Sequence, residues 1–218
     1  MAETIVFCVP GKTFSINFMR SWTDTILECR KRDIPIIISW ATGANVYQVR
    51  NNCYQNVSKM KYDYLMWIDS DQVWRVKDFL TLLDTMKKNP GISMLTGVYP
   101  MVAEGKADMT TICSLTKDEN DIVMNRLLSR DEVISLPPLA IVDAAGLGFC
   151  MMRYGVMEKM EYPWFRPVPV IDKRTGKTIH FFSEDISLFI NLKKLGINLI
   201  CDTKLHIGHE KDKIYYVK

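Results

Sequence analysis

Short runs of hydrophobic residues alternate with amphipathic segments through the first hundred positions of the chain. The runs are rich in β-branched and aromatic residues and predict strands at residues 3–9, 34–40, 64–68 and 92–98. In the segments between them, hydrophobic residues recur every three or four positions, which predicts helices at 15–32, 46–60 and 77–88. Because the strands are hydrophobic throughout and alternate with helices, the pattern predicts an α/β fold with a mostly parallel sheet covered on both faces.

The second half of the chain is less regular. Residues 101–138 mix strand-like pieces with the polar run over 117–121, and we interpret them as an excursion from the sheet. Beyond them the pattern predicts strands at 139–145, 149–153 and 197–201, a hairpin over 167–182 that turns near Thr175-Gly176, and a helix over 183–195. Ser183 is the expected N-cap of that helix, and Gly196 is its expected stop. This half therefore predicts a smaller antiparallel element.

Composition narrows the class of protein. The 218 residues are 48% hydrophobic, so residues 1–218 are expected to form a single domain around one core. The net charge of +3 comes without a stripe of lysine and arginine, so nucleic acid is not an expected partner. No hydrophobic stretch approaches the roughly 20 residues that span a bilayer, and no basic signal-peptide region precedes the first strand. Six scattered cysteines without a CxxC pair are typical of reduced, buried thiols. We expect no membrane insertion and a cytoplasmic location.

The strand at 64–68 ends in two acidic residues, Asp69 and Asp71. Side chains two positions apart on an extended chain point the same way, so both carboxylates can face one ligand. In open α/β sheets, ligands bind beyond the carboxyl ends of the strands. Two neighbouring carboxylates are costly to bury unless a cation neutralises them, and oxygen ligands favour Mg²⁺ or Mn²⁺. The alternative is that one of the two residues caps the next turn.

A second acidic pair, Glu184 and Asp185, opens the helix over 183–195. A carboxylate in such a place can act as a general base toward an acceptor hydroxyl. Capping alone is the alternative, because the helix dipole favours acidic side chains in a first turn.

Two of the three histidines lie close together near the end of the sequence. His209 follows Gly208 after a strand-like run, where its side chain can turn toward a site. We therefore favour His209 over His206 as a third metal ligand, and His180 carries no clear signal.

In this order, the motifs resemble those of the GT-A fold of nucleotide-sugar glycosyltransferases. The resemblance covers nearly the whole chain and is carried by Asp69-Ser70-Asp71, the strand that begins Gly146-Leu147-Gly148-Phe149, Ser183-Glu184-Asp185 and Gly208-His209. It implies a nucleotide-binding half at 1–100 and an acceptor-binding half at 101–218. The compact size is similar to that of single-domain enzymes of large DNA viruses and phages, such as the chlorovirus enzymes that glycosylate capsid proteins. A viral enzyme of that kind would work in the host cytoplasm.

The resemblance also implies roles for the charged residues. Asp69, Asp71 and His209 would hold Mn²⁺ or Mg²⁺ on the diphosphate of the donor, with UDP as the expected nucleotide. Asp185 would be the catalytic base, and Glu184 would hydrogen-bond the acceptor or orient Asp185.

Further residues would border the nucleotide. They are Pro10, Gly11, Lys12, Thr13, Trp40, Arg50 and Ser70. Arg50 resembles an arginine that such enzymes place near the nucleotide, and a solvated helix face is the alternative. Trp40 would stack on the base, or else pack in the core.

Near the acceptor, the resemblance places Gly146, Trp164 and Phe165. Aromatic faces suit sugar rings, although packing is an equal alternative for Trp164.

The function predicted from the sequence is metal-dependent, inverting transfer of a sugar from a nucleotide diphosphate to a hydroxyl of a glycan, such as one on a viral capsid glycoprotein. One alternative is a metal-dependent nucleotidyl or phosphoryl transferase. Such an enzyme would usually carry a Gly-rich basic loop near the start, where this chain has only Pro10-Gly11-Lys12. The other alternative is a catalytically inactive glycan-binding protein of the same fold.

Overall fold

A computed structural model describes residues 3–101, 108–119, 122–211 and 214–215. Its helices are α1 (Ile16–Lys31), α2 (Val46–Gln55), α3 (Val76–Lys88), α4 (Arg130–Ser135) and α5 (Glu184–Lys194). Its strands, in chain order, are β1 (Ile5–Pro10), β2 (Ile36–Ala41), β3 (Tyr64–Ile68), β4 (Gln72–Val73), β5 (Met94–Val98), β6 (Met109–Lys117), β7 (Val123–Ser129), β8 (Leu139–Val142), β9 (Phe149–Arg153), β10 (Pro169–Ile171), β11 (Thr178–Phe181), β12 (Leu199–His206), β13 (Gly208–Glu210) and β14 (Ile214–Tyr215).

Seven of the described strands form the central sheet, in the order β2-β1-β3-β9-β5-β12-β8. β1 pairs in parallel with both β2 and β3, and β5 pairs in parallel with β12. β9 runs antiparallel to its neighbours β3 and β5, and β8 runs antiparallel to β12. Five strands therefore point the same way, which confirms the predicted α/β fold with a mostly parallel sheet. β9 comes from the second half of the chain and lies between strands of the first half, so both halves build one sheet.

Hydrophobic layers cover both faces of this sheet. Along β1, Ile5, Phe7 and Val9 pack with α1 and α3, whereas Val6 and Cys8 pack with α2 and α5 on the opposite face. This alternation follows from the period-two geometry of a strand. All six cysteines are buried and free, as predicted.

Contacts at the start of α1 tie the end of the chain to the first helix. Ser15 caps the helix as predicted, because its Oγ accepts a hydrogen bond from the Phe18 backbone N–H at 3.0 Å. The same hydroxyl donates to Glu210, and Asn17 Nδ2 donates to Glu210 Oε1 at 2.8 Å. β13 is thereby fixed beside the carboxyl ends of β1 and β3.

Several predicted boundaries are wrong. α2 ends at Gln55, because residues 56–60 form turns instead of continuing the helix. β8 ends at Val142, before residues 143–145. β12 continues past Cys201 to His206, because its pairing with β5 resumes after a bulge.

Away from the central sheet, the described part of 101–138 forms an antiparallel hairpin, β6–β7, followed by α4. Residues 102–107 of this region, and 120–121 of the predicted polar run, lie outside the described residues. The hairpin predicted over 167–182 is confirmed as β10–β11, with Gly176 at φ 68° in its turn. In the part of the chain that the structure describes, no helix is both long and apolar enough to cross a bilayer.

Truncating Phe79 should test the layer beneath α3. Its side chain is fully buried, and its ring centroid lies 5.6 Å from that of Phe7. Phe79→Ala should lower the free energy of unfolding by about 3–5 kcal/mol, because it leaves a cavity. Ile16→Ala is the control, since Ile16 is 67% exposed on α1 and should change stability by less than about 0.5 kcal/mol. Equal urea midpoints for the two variants would contradict the described packing.

Candidate active site

A cleft of about 280 Å³ opens beyond the carboxyl ends of β1 and β3. Its lining comprises Pro10, Gly11, Gly43, Ala44, Val46, Val49, Arg50, Asp69, Ser70 and Asp71. Of the residues predicted to border a nucleotide, Lys12 and Thr13 are exposed beside this lining and are not part of it. Trp40 packs its ring edge-on against Phe14 and Trp22, with 42% of its surface still exposed. The ligand-binding edge expected of an open α/β sheet is therefore present as a cleft.

The first loop lies directly on the Asp-x-Asp segment. A Cβ added to Gly11 would lie 2.4 Å from the Cβ of Ser70, closer than real Cβ atoms approach. Only glycine lets these two backbones form adjoining walls of the cleft.

His209 is brought to Asp71 by strand pairing. β13 pairs antiparallel with β4, which places His209 opposite Gln72, and the Glu210 backbone N–H donates to the Asp71 carbonyl at 2.7 Å. His209 Nε2 then lies 3.2 Å from Asp71 Oδ2. The side chains that the sequence predicted to share a cation are therefore neighbours, although 138 positions separate them.

The contact of His209 Nδ1 with a backbone carbonyl orients the other ring nitrogen toward Asp71. Its Nδ1 lies 2.9 Å from the Pro100 carbonyl, which can only accept, so Nδ1 carries the proton. Nε2 faces the oxygen of Asp71 at 3.2 Å, so either a proton on Nε2 or a metal ion lies between the two atoms. Metal-binding histidines commonly donate their other N–H to a backbone carbonyl in this way.

The donor set fits a divalent cation held by two protein ligands. Among the described residues there is no cluster of three or more His, Cys, Asp or Glu side chains that could hold a metal alone. Asp71 would supply a carboxylate oxygen and His209 a ring nitrogen, and the other coordination positions would be left to oxygens from outside the protein.

Asp71 also has a basic partner. Lys211 Nζ lies 2.5 Å from Asp71 Oδ2, and Gln72 Nε2 donates to Oδ1 at 3.3 Å. Burial would raise the pKa of this carboxyl, but the hydrogen bonds and charges of His209 and Lys211 outweigh burial and hold it well below its usual range. Asp71 is therefore ionised and available to a cation at any physiological pH.

Asp69 faces a different partner, Arg50. Arg50 Nη2 donates to Asp69 Oδ2 at 3.0 Å, and Nη1 lies 2.9 Å from Oδ1 without the alignment of a hydrogen bond. On its other side, Arg50 Nε donates to Glu184 Oε1 at 3.1 Å. Both oxygens of Asp69 are engaged, so we assign Asp69 to holding Arg50, and Asp71 and His209 are the candidate direct ligands.

The alternative that Arg50 lies on a solvated helix face is wrong. Its side chain is 4% exposed, and its guanidinium lies 5.7 Å from the centre of the Trp67 ring. Burial would lower the pKa of Arg50, but the charges of Asp69 and Glu184 raise it above its usual value. Burial raises the pKa of Asp69, and Arg50 offsets only part of that rise.

Asp185 lies in the first turn of α5 beside a second, smaller pocket of about 80 Å³. The pocket is lined by Met101, Thr111, Cys113, Asn125, Leu127, Gly146, Ser183, Asp185 and Ile186. Ser183 occupies the predicted N-cap position, but its hydroxyl donates to Asp185 instead of capping the helix. Burial, and then the neighbouring charge of Glu184, raise the pKa of Asp185 to about 6. Such a carboxylate can take a proton near neutral pH.

The two glycines of the Gly146-Leu147-Gly148 segment make room for Tyr99. A Cβ on Gly146 would lie 2.1 Å from the Tyr99 hydroxyl oxygen. A Cβ on Gly148 would lie 2.9 Å from the same oxygen and 3.1 Å from Asp69 Oδ2. The Gly148 backbone N–H donates to the Tyr99 hydroxyl at 2.8 Å. Tyr99, like Lys211, was not among the predicted site residues, although its position directly after β5 marks it as a residue of the strand-end edge.

Of the residues expected near the acceptor, Gly146 lines the pocket of Asp185. Phe165 is 1% exposed and packs edge-on against Trp67 with ring centres 5.2 Å apart, so its ring offers no face to a sugar. Trp164 is half-buried and packs edge-on against Tyr54 and Tyr162. The structure gives both aromatic residues a packing role.

Replacing Arg50 should show how strongly the site depends on it. Arg50→Met leaves Asp69 and Glu184 without their partner and should lower the free energy of unfolding by about 3–5 kcal/mol at pH 7. The loss should shrink at pH 5, because protonation relieves the repulsion between the unpaired acids. Arg126→Met is the control: its pair with Glu132 is half-exposed, and its loss should cost less than about 1 kcal/mol. Similar costs for the two variants in urea unfolding would contradict the bridging role.

Adding a methyl group at Gly146 should displace Tyr99. Gly146→Ala should destabilise the protein by about 1–3 kcal/mol through overpacking. Gly91→Ala should be within about 0.5 kcal/mol of the wild type, since a Cβ at Gly91 meets nothing within 4 Å. Thermal unfolding measures both, and a Gly146 variant as stable as the Gly91 variant would count against the described contact.

No protein-family model matches the chain, and no curated protein sequence matches it. Among solved structures, the crystal structure of A197 from STIV is similar, with a TM-score of 0.60 and 20% sequence identity over 96% of this chain and 86% of that one. A structure of CMP:2-keto-3-deoxy-manno-octonic acid synthetase complexed with CTP is also similar, with a TM-score of 0.46 and 10% identity over 92% and 88% of the two chains. The first likeness shows a shared fold, and the second is too distant to carry an argument.

Proposed function

We propose that the protein is a metal-dependent glycosyltransferase that moves a sugar from a nucleotide diphosphate, with UDP as the expected nucleotide, to a hydroxyl of a glycan. The observation that carries this proposal is that His209 Nε2 lies 3.2 Å from Asp71 Oδ2, at the edge of the sheet where ligands bind. Asp69, two residues before Asp71, is paired with Arg50, and Arg50 is also paired with Glu184 at the start of α5. A cation site and a candidate base thus lie on two sides of one buried arginine.

On the donor side, a diphosphate in the cleft would lie against backbone segments and beside the proposed metal ligands. Gly11 and Ser70 adjoin in the lining of the cleft, so a ligand bound there would contact both the first loop and the Asp-x-Asp segment. Asp71 and His209 would hold Mn²⁺ or Mg²⁺, which acts as a Lewis acid toward charge on the leaving diphosphate. Arg50 also lines the cleft, but its guanidinium is paired with Asp69 and Glu184, so it is not a proposed direct contact of the nucleotide.

On the acceptor side, Asp185 is the proposed general base. With a pKa of about 6, it is mostly ionised at pH 7 and remains basic enough to receive the proton of an attacking hydroxyl. Gly146 lines the pocket beside Asp185, and any side chain at this position would meet the Tyr99 hydroxyl. Glu184 points to Arg50, so we assign it to positioning the first turn of α5 and not to the acceptor.

We propose an inverting reaction at this site. The acceptor oxygen would attack the anomeric carbon as the diphosphate leaves, in a single displacement, while Asp185 accepts the hydroxyl proton. Positioning of the two reactants would supply much of the rate. Nucleotidyl transfer would instead release pyrophosphate, so the identity of the released product separates the two reactions. Thermal-shift screening of nucleotide sugars with and without Mn²⁺ identifies the donor, because a bound ligand raises the unfolding temperature.

Asp185→Asn should abolish transfer and leave donor binding intact. Loss of a general base typically costs about 10²–10⁴ in rate. Asp172→Asn is the control, because Asp172 lies in the turn of the β10–β11 hairpin and accepts hydrogen bonds from Arg174 and Thr175 of the same turn. Rates come from the released nucleoside diphosphate, and binding comes from the thermal shift. Retained transfer, or lost donor binding, would argue against the assignment.

The pH profile should report the same carboxylate. The base must be ionised, and the raised pKa moves its ionisation to about pH 6. The value of kcat/KM should therefore rise through pH 6 and fall about tenfold for each unit below it. A profile that is flat between pH 5 and 7 would contradict the role of Asp185.

A further inference from the structure

Lys211 and His209 converge on a single oxygen of Asp71. Lys211 Nζ lies 2.5 Å from Asp71 Oδ2, and His209 Nε2 lies 3.2 Å from the same atom. A cation that binds Oδ2 and Nε2 together would lie about 2 Å from each. The ammonium already lies at Oδ2, and like charges so close repel strongly.

We propose that Lys211 competes with the divalent cation for Asp71, and that after its displacement it pairs with the diphosphate of the donor. This inference rests on the metal and donor of the proposed function. It assigns to Lys211 two successive partners, a carboxylate before the cation binds and a phosphate afterwards.

The anchoring of the chain makes this exchange a movement of one side chain. The backbone at Glu210 is held by the bond to the Asp71 carbonyl, and the Glu210 carboxylate is held by Ser15 and Asn17. By contrast, the Lys211 side chain is 46% exposed. A lysine side chain is a flexible stem with a compact charge, so it can reorient while its backbone stays at the rim of the cleft.

The balance of charge indicates where the ammonium group of Lys211 binds after the cation displaces it. Before the cation arrives, Lys211 offsets Asp71. A dication on Asp71 leaves one net positive charge there and frees the ammonium. The diphosphate of a sugar nucleotide carries one negative charge on each phosphate, so the dication and the freed ammonium together neutralise Asp71 and the diphosphate. Lysine is a common phosphate-binding residue in other proteins.

The test measures two affinities in one variant, Lys211→Gln. Titration with Mn²⁺ alone, followed by the resonance of free Mn²⁺, should show about two- to fivefold tighter binding than in the wild type, because a half-exposed competing charge is gone. Calorimetry with UDP at saturating Mn²⁺ should show roughly tenfold weaker binding, because a charged phosphate contact is gone. A merely structural role would not shift the two affinities in opposite directions.

The matched control is Lys193→Gln. Lys193 pairs with Asp143 at side-chain exposures of 50% and 27%, close to the 46% and 31% of Lys211 and Asp71. Both affinities should stay at the wild-type values in this control, and Lys211→Arg should restore weaker Mn²⁺ binding.

Mn²⁺ affinity in Lys211→Gln that is equal to or weaker than wild type would overturn the competition. Unchanged UDP affinity would overturn the transfer to the diphosphate. If the wild type binds Mn²⁺ but not UDP, the proposed donor fails and the destination of Lys211 with it, while the Mn²⁺ titration still decides the competition.

Discussion

The buried guanidinium of Arg50 holds three parts of the site together. It extends from α2 to Asp69 at the end of β3 and to Glu184 at the start of α5. Burial of a charge this deep is unfavourable unless its partners are in place, so the arginine and its two acids constrain one another. The position of α5, and with it that of Asp185, therefore depends on the strand end that carries the Asp-x-Asp segment.

Because of this constraint, the two aspartates of the Asp-x-Asp segment have different partners. Asp69 is committed to Arg50, and burial raises its pKa. Asp71 faces His209 and Lys211, whose hydrogen bonds and charges lower its pKa despite burial. Two carboxylates separated by one residue thus have opposite shifts, because each meets different neighbours. A third carboxylate, that of Asp185, has its pKa raised to about 6 by burial and by Glu184. The proposed function requires both behaviours at one pH, an ionised carboxylate to hold a cation and a second carboxylate that can accept a proton.

Much of the fold could be predicted from the sequence, because alternating hydrophobic runs and amphipathic segments report burial directly. The direction of a strand is not in that pattern. β9 is a hydrophobic run like β3 and β5, yet it lies antiparallel between them, and only pairing across the sheet decides this. Among the candidate site residues, Asp71 and Asp185 could be proposed from the sequence, because an acid at a strand end or in a helix first turn is an informative position.

Other features of the candidate site could not be predicted, because they depend on contacts between residues far apart in the sequence. Arg50 lies on a helix, and nothing in the sequence around it indicates that its partner is Glu184, 134 positions later. The sequence resemblance places Phe165 near the acceptor, but its ring packs against Trp67. The need for glycine at position 146 comes from Tyr99, which lies on another strand end.

Anomalous diffraction at the manganese edge, from crystals grown with Mn²⁺ and UDP, tests the central claim most directly. The account predicts a peak about 2 Å from both the Asp71 carboxylate and His209 Nε2, with Arg50 still bound to Asp69 and Glu184. A peak elsewhere, or an Arg50 released from Asp69 to the nucleotide, would contradict it.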